Sequence, residues 1–200
     1  MSSDADNIVP LYERHAQAYD RLRGRSLFEK SWLDAFIDLL PKGGSVLDIG
    51  CGMGEPIARY LIERGFSVTG IDSSPNLIAK RGERFPQCRW AVADMRSLSL
   101  QRTFDGLIAW DSFFHLTPDD QRTMFSVFRD HAASDVALMF TSGPAHGVAI
   151  GEFEGAPLYH ASLDADEYRA LLKKNGLRVV RHVAEDPACN GHTVWLAQRV

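Results

Sequence analysis

The sequence contains little cysteine, with three residues in 200. Cys51, Cys88 and Cys189 lie far apart, form no C-x-x-C pair and are odd in number. Neither a disulfide framework nor a cysteine-based zinc site is therefore expected, and we expect no metal centre of any kind. Cysteine usage of this kind fits a reducing compartment, so we expect a cytoplasmic protein.

Long hydrophobic runs and an excess of positive charge are also absent. The longest apolar stretches, such as 136–140, are far too short to cross a bilayer. The first residues, MSSDADN, have neither the basic nor the apolar region of a signal peptide. The formal net charge is −4, which predicts binding neither to nucleic acid nor to an anionic membrane. The short run of Arg21, Arg23 and Arg25 is expected to be a solvated helix end.

Apolar periodicity predicts two N-terminal helices, at 7–20 and 26–40, and then an alternation of strands and helices. The expected strands are 45–49, 66–71, 89–93, 104–110 and 136–141, and the helices between them are 55–64, 74–84 and 119–131. The chain ends with a helix at 164–175 and strands at 177–183 and 193–199. The alternation favours a mainly parallel sheet in an α/β fold. Only a loop joins the last two strands, so one antiparallel strand is expected.

A glycine-rich loop follows the first strand of this alternation, in VLDIGCGMGEP. Gly50, Gly52 and Gly54 do not have the G-x-G-x-x-G spacing of a dinucleotide fold, and no Gly-Lys-Ser/Thr follows as in a P-loop. The acidic neighbours Asp48 and Glu55 would repel phosphate. A ligand with a cationic part and no phosphate fits this loop better, and S-adenosylmethionine has both properties.

Four segments come in order at the ends of four successive strands: VLDIGCGMG, VTGIDSS, AVADMRSL and DGLIAWDSFFHL. Together they resemble the motif set of the class I, Rossmann-like S-adenosylmethionine-dependent methyltransferases. The resemblance implies a three-layer α/β/α sandwich around a seven-stranded, mostly parallel sheet, with one antiparallel strand from the C-terminal hairpin. It also implies S-adenosylmethionine as cofactor, S-adenosylhomocysteine as product and one methyltransferase domain over residues 1–200.

Matched to the family pattern, the resemblance implies a cofactor site at the strand ends. Gly50 and Gly52 would let the backbone approach the methionine end. Asp48 would meet the amino group, directly or through water. Asp72 would accept both ribose hydroxyls in charge-assisted bonds, and Asp94 would accept from the adenine amino group.

Five further residues complete this expected site. Met95 would lie at the adenine ring, and Trp110 would border the methionine portion. Tyr19, in the N-terminal helical segment 1–42, would shield the methionine end as part of a lid. The neighbours Cys51 and Ser73 are included in the cofactor-binding set.

A purely structural interpretation stays open for each of these residues. Gly50 and Gly52 would then form only a tight turn, and Cys51 would be a small buried residue. Asp72 would act as a helix cap, and Met95 would fill the core. For Tyr19 the corresponding alternative is an amphipathic helix packed on the sheet.

Residues Asp111, His115 and His160 are the candidates for the catalytic step. Asp111 borders the methyl-transfer space, and a histidine titrates near neutral pH and suits proton removal. His160 closes segment 142–162, a long connection that predicts either a loop near the acceptor site or a surface hairpin. The positions of His115, His146 and His160 show no metal-ligand spacing.

The fourth motif limits the classes of molecule that are expected as methyl acceptor. It reads WDSFFH, whereas exocyclic-amine nucleic-acid methylases of this family carry Asp/Asn-Pro-Pro-aromatic at this position, and no cysteine follows a proline. A small molecule, methylated on oxygen or nitrogen, is therefore the expected acceptor, without nucleic acid or membrane as partners. Two other functions stay open: a catalytically silent S-adenosylmethionine-binding module and an NAD-dependent oxidoreductase.

Overall fold

The structure, a computed structural model, describes residues 4–199; the first three residues of the MSSDADN segment and residue 200 lie outside the described part. The strands are β1 (Ser45–Ile49), β2 (Ser67–Asp72), β3 (Arg89–Val92), β4 (Phe104–Ala109), β5 (Ala132–Ser142), β6 (Gly147–Phe153), β7 (Ala156–Ser162), β8 (Leu177–Asp186) and β9 (His192–Arg199). The helices are α1 (Ile8–Arg14), α2 (Ala16–Leu22), α3 (Lys30–Ile37), α4 (Ile57–Glu63), α5 (Pro75–Arg84), α6 (Pro118–Asp130) and α7 (Ala165–Lys174).

Seven of the strands form one sheet in the order β3-β2-β1-β4-β5-β9-β8. Strands β1 to β5 pair in parallel, whereas β9 runs antiparallel to both β5 and β8. Strands β2 and β3 lie on one side of β1, and β4 and β5 lie on the other, so the order of the strands along the chain reverses between β1 and β4. The carboxyl ends of β1 and β4 face the same edge of the sheet. The predicted mixed sheet with one antiparallel strand is therefore confirmed.

Both faces of the sheet are covered, which accounts for the nearly continuous apolar runs in the central strands. On β4, Leu107 packs in one core cluster with residues of α6 and α7, and Ile108 packs in a second cluster with residues of α3 and α4. Successive side chains of a strand point to opposite faces, so each face needs its own layer of helices. The arrangement is the predicted three-layer α/β/α sandwich.

The predicted N-terminal helix over 7–20 is wrong as a single element, because α1 and α2 meet at a break. His15, with φ −108° and ψ 21°, lies between them. In an unbroken helix, residues seven positions apart are about 10.5 Å apart along the axis. The ring centroids of Tyr12 and Tyr19 are only 5.3 Å apart and meet edge to face. The break thus brings both rings to one place.

Segment 142–162 forms an antiparallel hairpin of β6 and β7 that pairs separately from the main sheet. Its two-residue turn, Glu154 and Gly155, has positive φ angles of 52° and 77°. That conformation is typical of a tight turn matched to the twist of the strands. The segment is therefore a hairpin, and its expected position near the acceptor site stays a prediction.

Candidate functional site

A cavity of about 510 Å³ opens at the carboxyl ends of the parallel strands. Ligands of open α/β sheets bind at this edge, and the volume lies within the range of about 300–1,000 Å³ of small-molecule sites. The strand ends contribute to its lining Gly50, Gly52, Asp72, Ser73, Asp94, Met95, Asp111 and Ser112. Tyr19 and His115, two further predicted site residues, also line it.

The glycine loop after β1 has a left-handed backbone at alternate positions, with φ of +73° at Gly50 and +49° at Gly52. A β-carbon at Gly50 would lie 2.2 Å from Cβ of Ser112, which is an impossible contact. At Gly52 it would lie 3.1 Å from the Tyr19 ring. The chain's own packing therefore requires glycine at position 50, in addition to any approach of a ligand.

Asp72, the last residue of β2, is held at the cavity wall by the main chain. One carboxylate oxygen accepts the Gly52 N–H and the other the Ser74 N–H, both at 2.9 Å. Burial raises the pKa of Asp72, and these two hydrogen bonds act in the opposite direction. Each oxygen has a second lone pair for a further donor. The cap of α5 itself is Ser74, whose hydroxyl accepts the Leu77 N–H at 3.2 Å.

At the end of β3, Asp94 and Met95 lie side by side in the lining. The Asp94 carboxylate accepts three bonds from the Arg96 guanidinium, at 2.6 to 3.1 Å. This pairing lowers the pKa of Asp94. Arg96 also lies 3.7 Å from Asp120, so it compensates part of the negative charge at this end of the cavity.

Four of the predicted site residues lie outside the cavity lining: Asp48, Cys51, Trp110 and His160. The Asp48 carboxylate accepts a bond from buried Arg81 at 2.8 Å, so a direct contact with a ligand in the cavity is not supported. Cys51 is buried, and burial raises its pKa. The sequence did not predict Arg81 as the partner of Asp48, because the two residues are 33 positions apart and no local pattern links them.

Asp111, just after β4, has a left-handed backbone with φ +48° and donates its N–H to Thr141 Oγ1 at 2.9 Å. One carboxylate oxygen accepts from Arg23 at 3.2 Å, and the other lies 3.0 Å from Nε2 of His192. The expectation of a solvated arginine run is therefore wrong for Arg23, which is largely buried and also binds Glu29 at 3.1 Å. His192 gave no motif signal in the sequence.

His115 lies between two polar groups at the cavity wall. Its Nδ1 is 2.8 Å from the Tyr159 carbonyl oxygen, and its Nε2 is 3.1 Å from the Tyr12 hydroxyl. Burial lowers the pKa of His115 to about 4, so the ring is neutral at pH 7. Because a carbonyl only accepts, Nδ1 carries the proton and Nε2 accepts from Tyr12.

The β6–β7 hairpin packs against this wall. The His160 ring lies 4.9 Å from the His115 ring, between centroids, and burial lowers the pKa of His160. Phe153 stacks on Tyr12 with centroids 5.6 Å apart. The structure thus brings His115 and His160, two of the three predicted catalytic residues, together. Of these two, only His115 lines the cavity.

Residues 4–199 contain neither a metal-binding cluster nor a membrane-spanning helix. In this part of the chain, no cluster of three or more histidine, cysteine, aspartate or glutamate side chains is arranged to hold a metal ion. None of the helices described here combines the length and apolar character needed to cross a membrane.

The similarity to known proteins covers the part of the chain that carries these strand ends. Residues 46–135 match the family model of the methyltransferase domain. A putative methyltransferase, YqeM of Bacillus subtilis, is 34% identical over 131 residues, which cover 60% of this chain and 50% of that protein. The 2-phytyl-1,4-naphtoquinone methyltransferase of Thermosynechococcus vestitus is 34% identical over 112 residues, covering 50% and 49%.

Solved structures share the whole fold. Magnesium protoporphyrin IX methyltransferase of Synechocystis, crystallised with bound SAM, superposes with a TM-score of 0.73 at 17% identity, covering 100% of this chain and 99% of that one. Over residues 46–135 the chain is thus similar to the methyltransferase domain family, and it shares its fold with a methyltransferase crystallised with bound SAM. A second solved structure, Burkholderia thailandensis 1,6-didemethyltoxoflavin-N1-methyltransferase with S-adenosylhomocysteine, gives 0.74 at 18% identity, covering 100% and 92%.

The chain spans about half the length of the first two curated relatives it matches. The family match ends within β5. The β6–β7 hairpin and the C-terminal strands β8 and β9 therefore lie outside the matched region, although they contribute His160 and His192 beside the cavity.

Proposed function

We propose that this protein transfers a methyl group from S-adenosylmethionine to a small molecule by in-line displacement. One observation carries the proposal: a buried carboxylate at the end of β2, Asp72, is oriented into the cavity wall by the N–H of Gly52 and of Ser74. Main-chain bonds hold its orientation, and each oxygen keeps a lone pair for a ribose hydroxyl.

The other strand ends suit the rest of the cofactor. Asp94 and Met95 are assigned to the adenine, and Gly50, Gly52 and Tyr19 to the methionine end. When bound, the cofactor supplies an electrophilic methyl group on a sulfonium.

The charge of the lining favours a cationic ligand over a phosphate-bearing one. Among the described residues of the lining, five carboxylates face one guanidinium, that of Arg96; they are Asp6, Asp72, Asp94, Asp111 and Asp120. Such an excess of negative charge attracts a sulfonium and an ammonium and repels a pyrophosphate. The NAD-dependent alternative is therefore disfavoured on charge as well as on glycine spacing.

The chain's own groups orient the reactants, exclude water and accept a proton. The paired rings of Tyr12 and Tyr19 cover the glycine loop side of the cavity, which keeps water from the transfer site. Neutral His115 is assigned as the proton acceptor, through the Tyr12 hydroxyl that its Nε2 faces. Asp111 has both oxygens engaged by cations, so we assign it to anchoring rather than to proton removal.

A small molecule is proposed as acceptor. The cavity has the size of a small-molecule site. The names of related proteins point the same way, since they include a naphtoquinone methyltransferase and a toxoflavin-precursor methyltransferase. Hydroxyl and amine acceptors both lose a proton on methylation, and the unprotonated Nε2 of His115 is the nitrogen assigned to receive it through Tyr12. Nucleic acid is disfavoured by the net charge of −4.

Calorimetric titration with S-adenosylhomocysteine, with NAD run beside it, tests the cofactor. We expect the wild type to bind the first and not the second. Asp72→Asn removes a charged acceptor for two hydroxyls and should weaken binding about 100-fold while the domain stays folded. Asp105→Asn is the matched control, because Asp105 also accepts a main-chain N–H, that of Ser45 at 2.7 Å, but lies outside the cavity lining.

Two results would contradict the proposal: a folded wild type that does not bind S-adenosylhomocysteine, and binding of NAD instead. A screen of small hydroxyl and amine compounds for release of S-adenosylhomocysteine then separates an enzyme from a silent binding module. Binding with no turnover of any compound would favour the silent module.

A further inference from the structure

The C-terminal hairpin places one side chain behind the wall of the site. His192, the first residue of β9, lies beyond the region that matches the family model. Its ring contacts the rings of Phe28 and Trp110, with centroids 5.2 and 5.6 Å away. Aromatic neighbours of this kind suit a cationic ring.

Both nitrogens of this ring face hydrogen-bond acceptors. Nδ1 lies 2.9 Å from the carbonyl oxygen of Cys189, and Nε2 lies 3.0 Å from a carboxylate oxygen of Asp111. Neither a carbonyl nor an ionised carboxylate has a proton to donate, so both ring nitrogens must be donors. The geometry therefore describes an imidazolium. Burial by itself lowers the pKa of His192, but the hydrogen bond and charge of Asp111 raise it overall.

The charged groups around His192 come from four elements, one of which is β8, where Asp186 is the register partner of His192 and lies 3.7 Å from Arg181. Asp111 follows β4, Arg23 ends α2, and Glu29 precedes α3 and is fully buried. Burial raises the pKa of the Cys189 thiol, so this neighbour adds no charge. With His192 protonated, Asp111 and Glu29 face the two cations Arg23 and His192, although burial raises the pKa of Glu29. Loss of the proton would remove one positive charge from this partly buried cluster, and the lone pair of neutral His192 would face an acceptor, either the Cys189 carbonyl or Asp111.

Asp111 is the member of this cluster that reaches the cavity. It keeps a left-handed backbone, with φ +48°, while His192 holds one carboxylate oxygen and Arg23 the other. Arg23 also caps α2, the helix that carries Tyr19 over the glycine loop. Release of Asp111 would thus loosen two walls of the site.

We propose that His192, in its protonated form, is a positioning residue that holds the Asp111 carboxylate at the wall of the cofactor site, so that cofactor affinity falls when His192 loses its proton. The inference rests on the proposed function for the identity of the ligand. It goes further in assigning a role to a residue of the C-terminal hairpin.

The test is a titration with S-adenosylhomocysteine at about pH 6 and about pH 9, on either side of an imidazole titration. We expect the wild type to lose about tenfold in affinity at the higher pH, as the hydrogen bond from His192 to Asp111 loses the positive charge of its donor. In His192→Gln the amide can donate to Asp111 at both pH values, so only the small change from the ligand's own amino group should remain. His182→Gln is the control, since His182 bonds to Val194 on β9 at 3.0 Å and lies outside the lining; it should follow the wild type.

A second measurement needs no ligand. Nitrogen NMR of the histidine rings should show both nitrogens of His192 protonated at about pH 6. A ring nitrogen of His192 that is unprotonated at that pH would overturn the inference. Equal pH profiles for the wild type and His192→Gln would overturn it while leaving cofactor binding intact. Absence of binding by the folded wild type at both pH values would overturn the proposed function, and this inference with it.

Discussion

Three aspartates lie at the carboxyl ends of neighbouring strands of the sheet or just after them, and their partners differ. Asp48 pairs with the buried Arg81, Asp72 accepts two main-chain N–H groups, and Asp111 is bonded by two cations. A carboxylate paired with a buried arginine is required for the stability of the fold, because removing either partner leaves an unpaired buried charge. Main-chain bonds orient a carboxylate without neutralising it. Of the three, Asp72 is therefore the one best prepared to bind a ligand.

At the same scale, Gly50→Ala should destabilise the protein by about 2–4 kcal/mol, because a β-carbon collides with Ser112 in addition to the strain of a positive φ. Gly191→Ala is the matched control: its φ of +76° is similar to the +73° of Gly50, but nothing lies within 4 Å of the new carbon. It should cost about 1 kcal/mol. Urea unfolding of the two variants measures both values, and equal losses would contradict the collision.

The N-terminal helices act at the scale of the element. Because α1 and α2 break at His15, Tyr12 and Tyr19 meet at the cavity instead of following one helical stripe. The rings of the β6–β7 hairpin pack on the same side, with Phe153 against Tyr12 and His160 against His115. Two elements distant in the sequence thus form one aromatic wall.

If this wall covers the methionine end, Tyr19→Ala should weaken binding of S-adenosylhomocysteine about tenfold, since the ring over Gly52 is lost. Tyr19→Phe keeps the ring and should bind nearly as the wild type does. Leu22→Ala, on an exposed position of the same helix, controls for a change in helix stability. Calorimetry decides between the alternatives: unchanged binding by Tyr19→Ala would mean that α2 only packs on the sheet.

At the scale of the whole molecule, buried histidines link stability to pH. The pKa of His115 falls to about 4 in the folded protein, against about 6.5 in an unfolded chain. Between these values the unfolded chain binds the extra proton, so stability is lost as the pH falls from about 6.5 to about 4. The total loss is about 3 kcal/mol for this one group. His192, whose pKa is raised, acts in the opposite sense: its contribution is present at low pH and disappears as the pH rises through the raised value.

His115→Gln should therefore flatten the acid side of the stability curve, because glutamine binds no proton. The free energy of unfolding in urea, measured for both proteins at about pH 7 and about pH 5, gives the two slopes. The comparison between variant and wild type removes the contributions of other groups, including the lowered pKa of His160. A variant that loses as much stability as the wild type would show that His115 is not the group responsible.

Most of the fold was predictable, because each central element has a local signal. The strand after Pro41-Lys42-Gly43-Gly44 begins and ends where the apolar run does, at Ser45–Ile49. The break at His15 was not predictable, since neither proline nor glycine marks it. The hairpin over 142–162 was one of two alternatives, and the decisive feature, positive φ at Glu154 and Gly155, is a conformation rather than a pattern.

The sequence by itself determined the resemblance to methyltransferases, the α/β class and the carboxylates at the strand ends. It could do so because parallel strands bring their carboxyl ends to one edge, so residues after successive strands meet without further information. Only the tertiary structure decided the partners of those residues. Arg81 reaches Asp48 across 33 positions, His192 reaches Asp111 across 81, and Tyr12 reaches His115 across 103. Such pairs depend on how helices and hairpins pack on the sheet, and no local pattern encodes that packing.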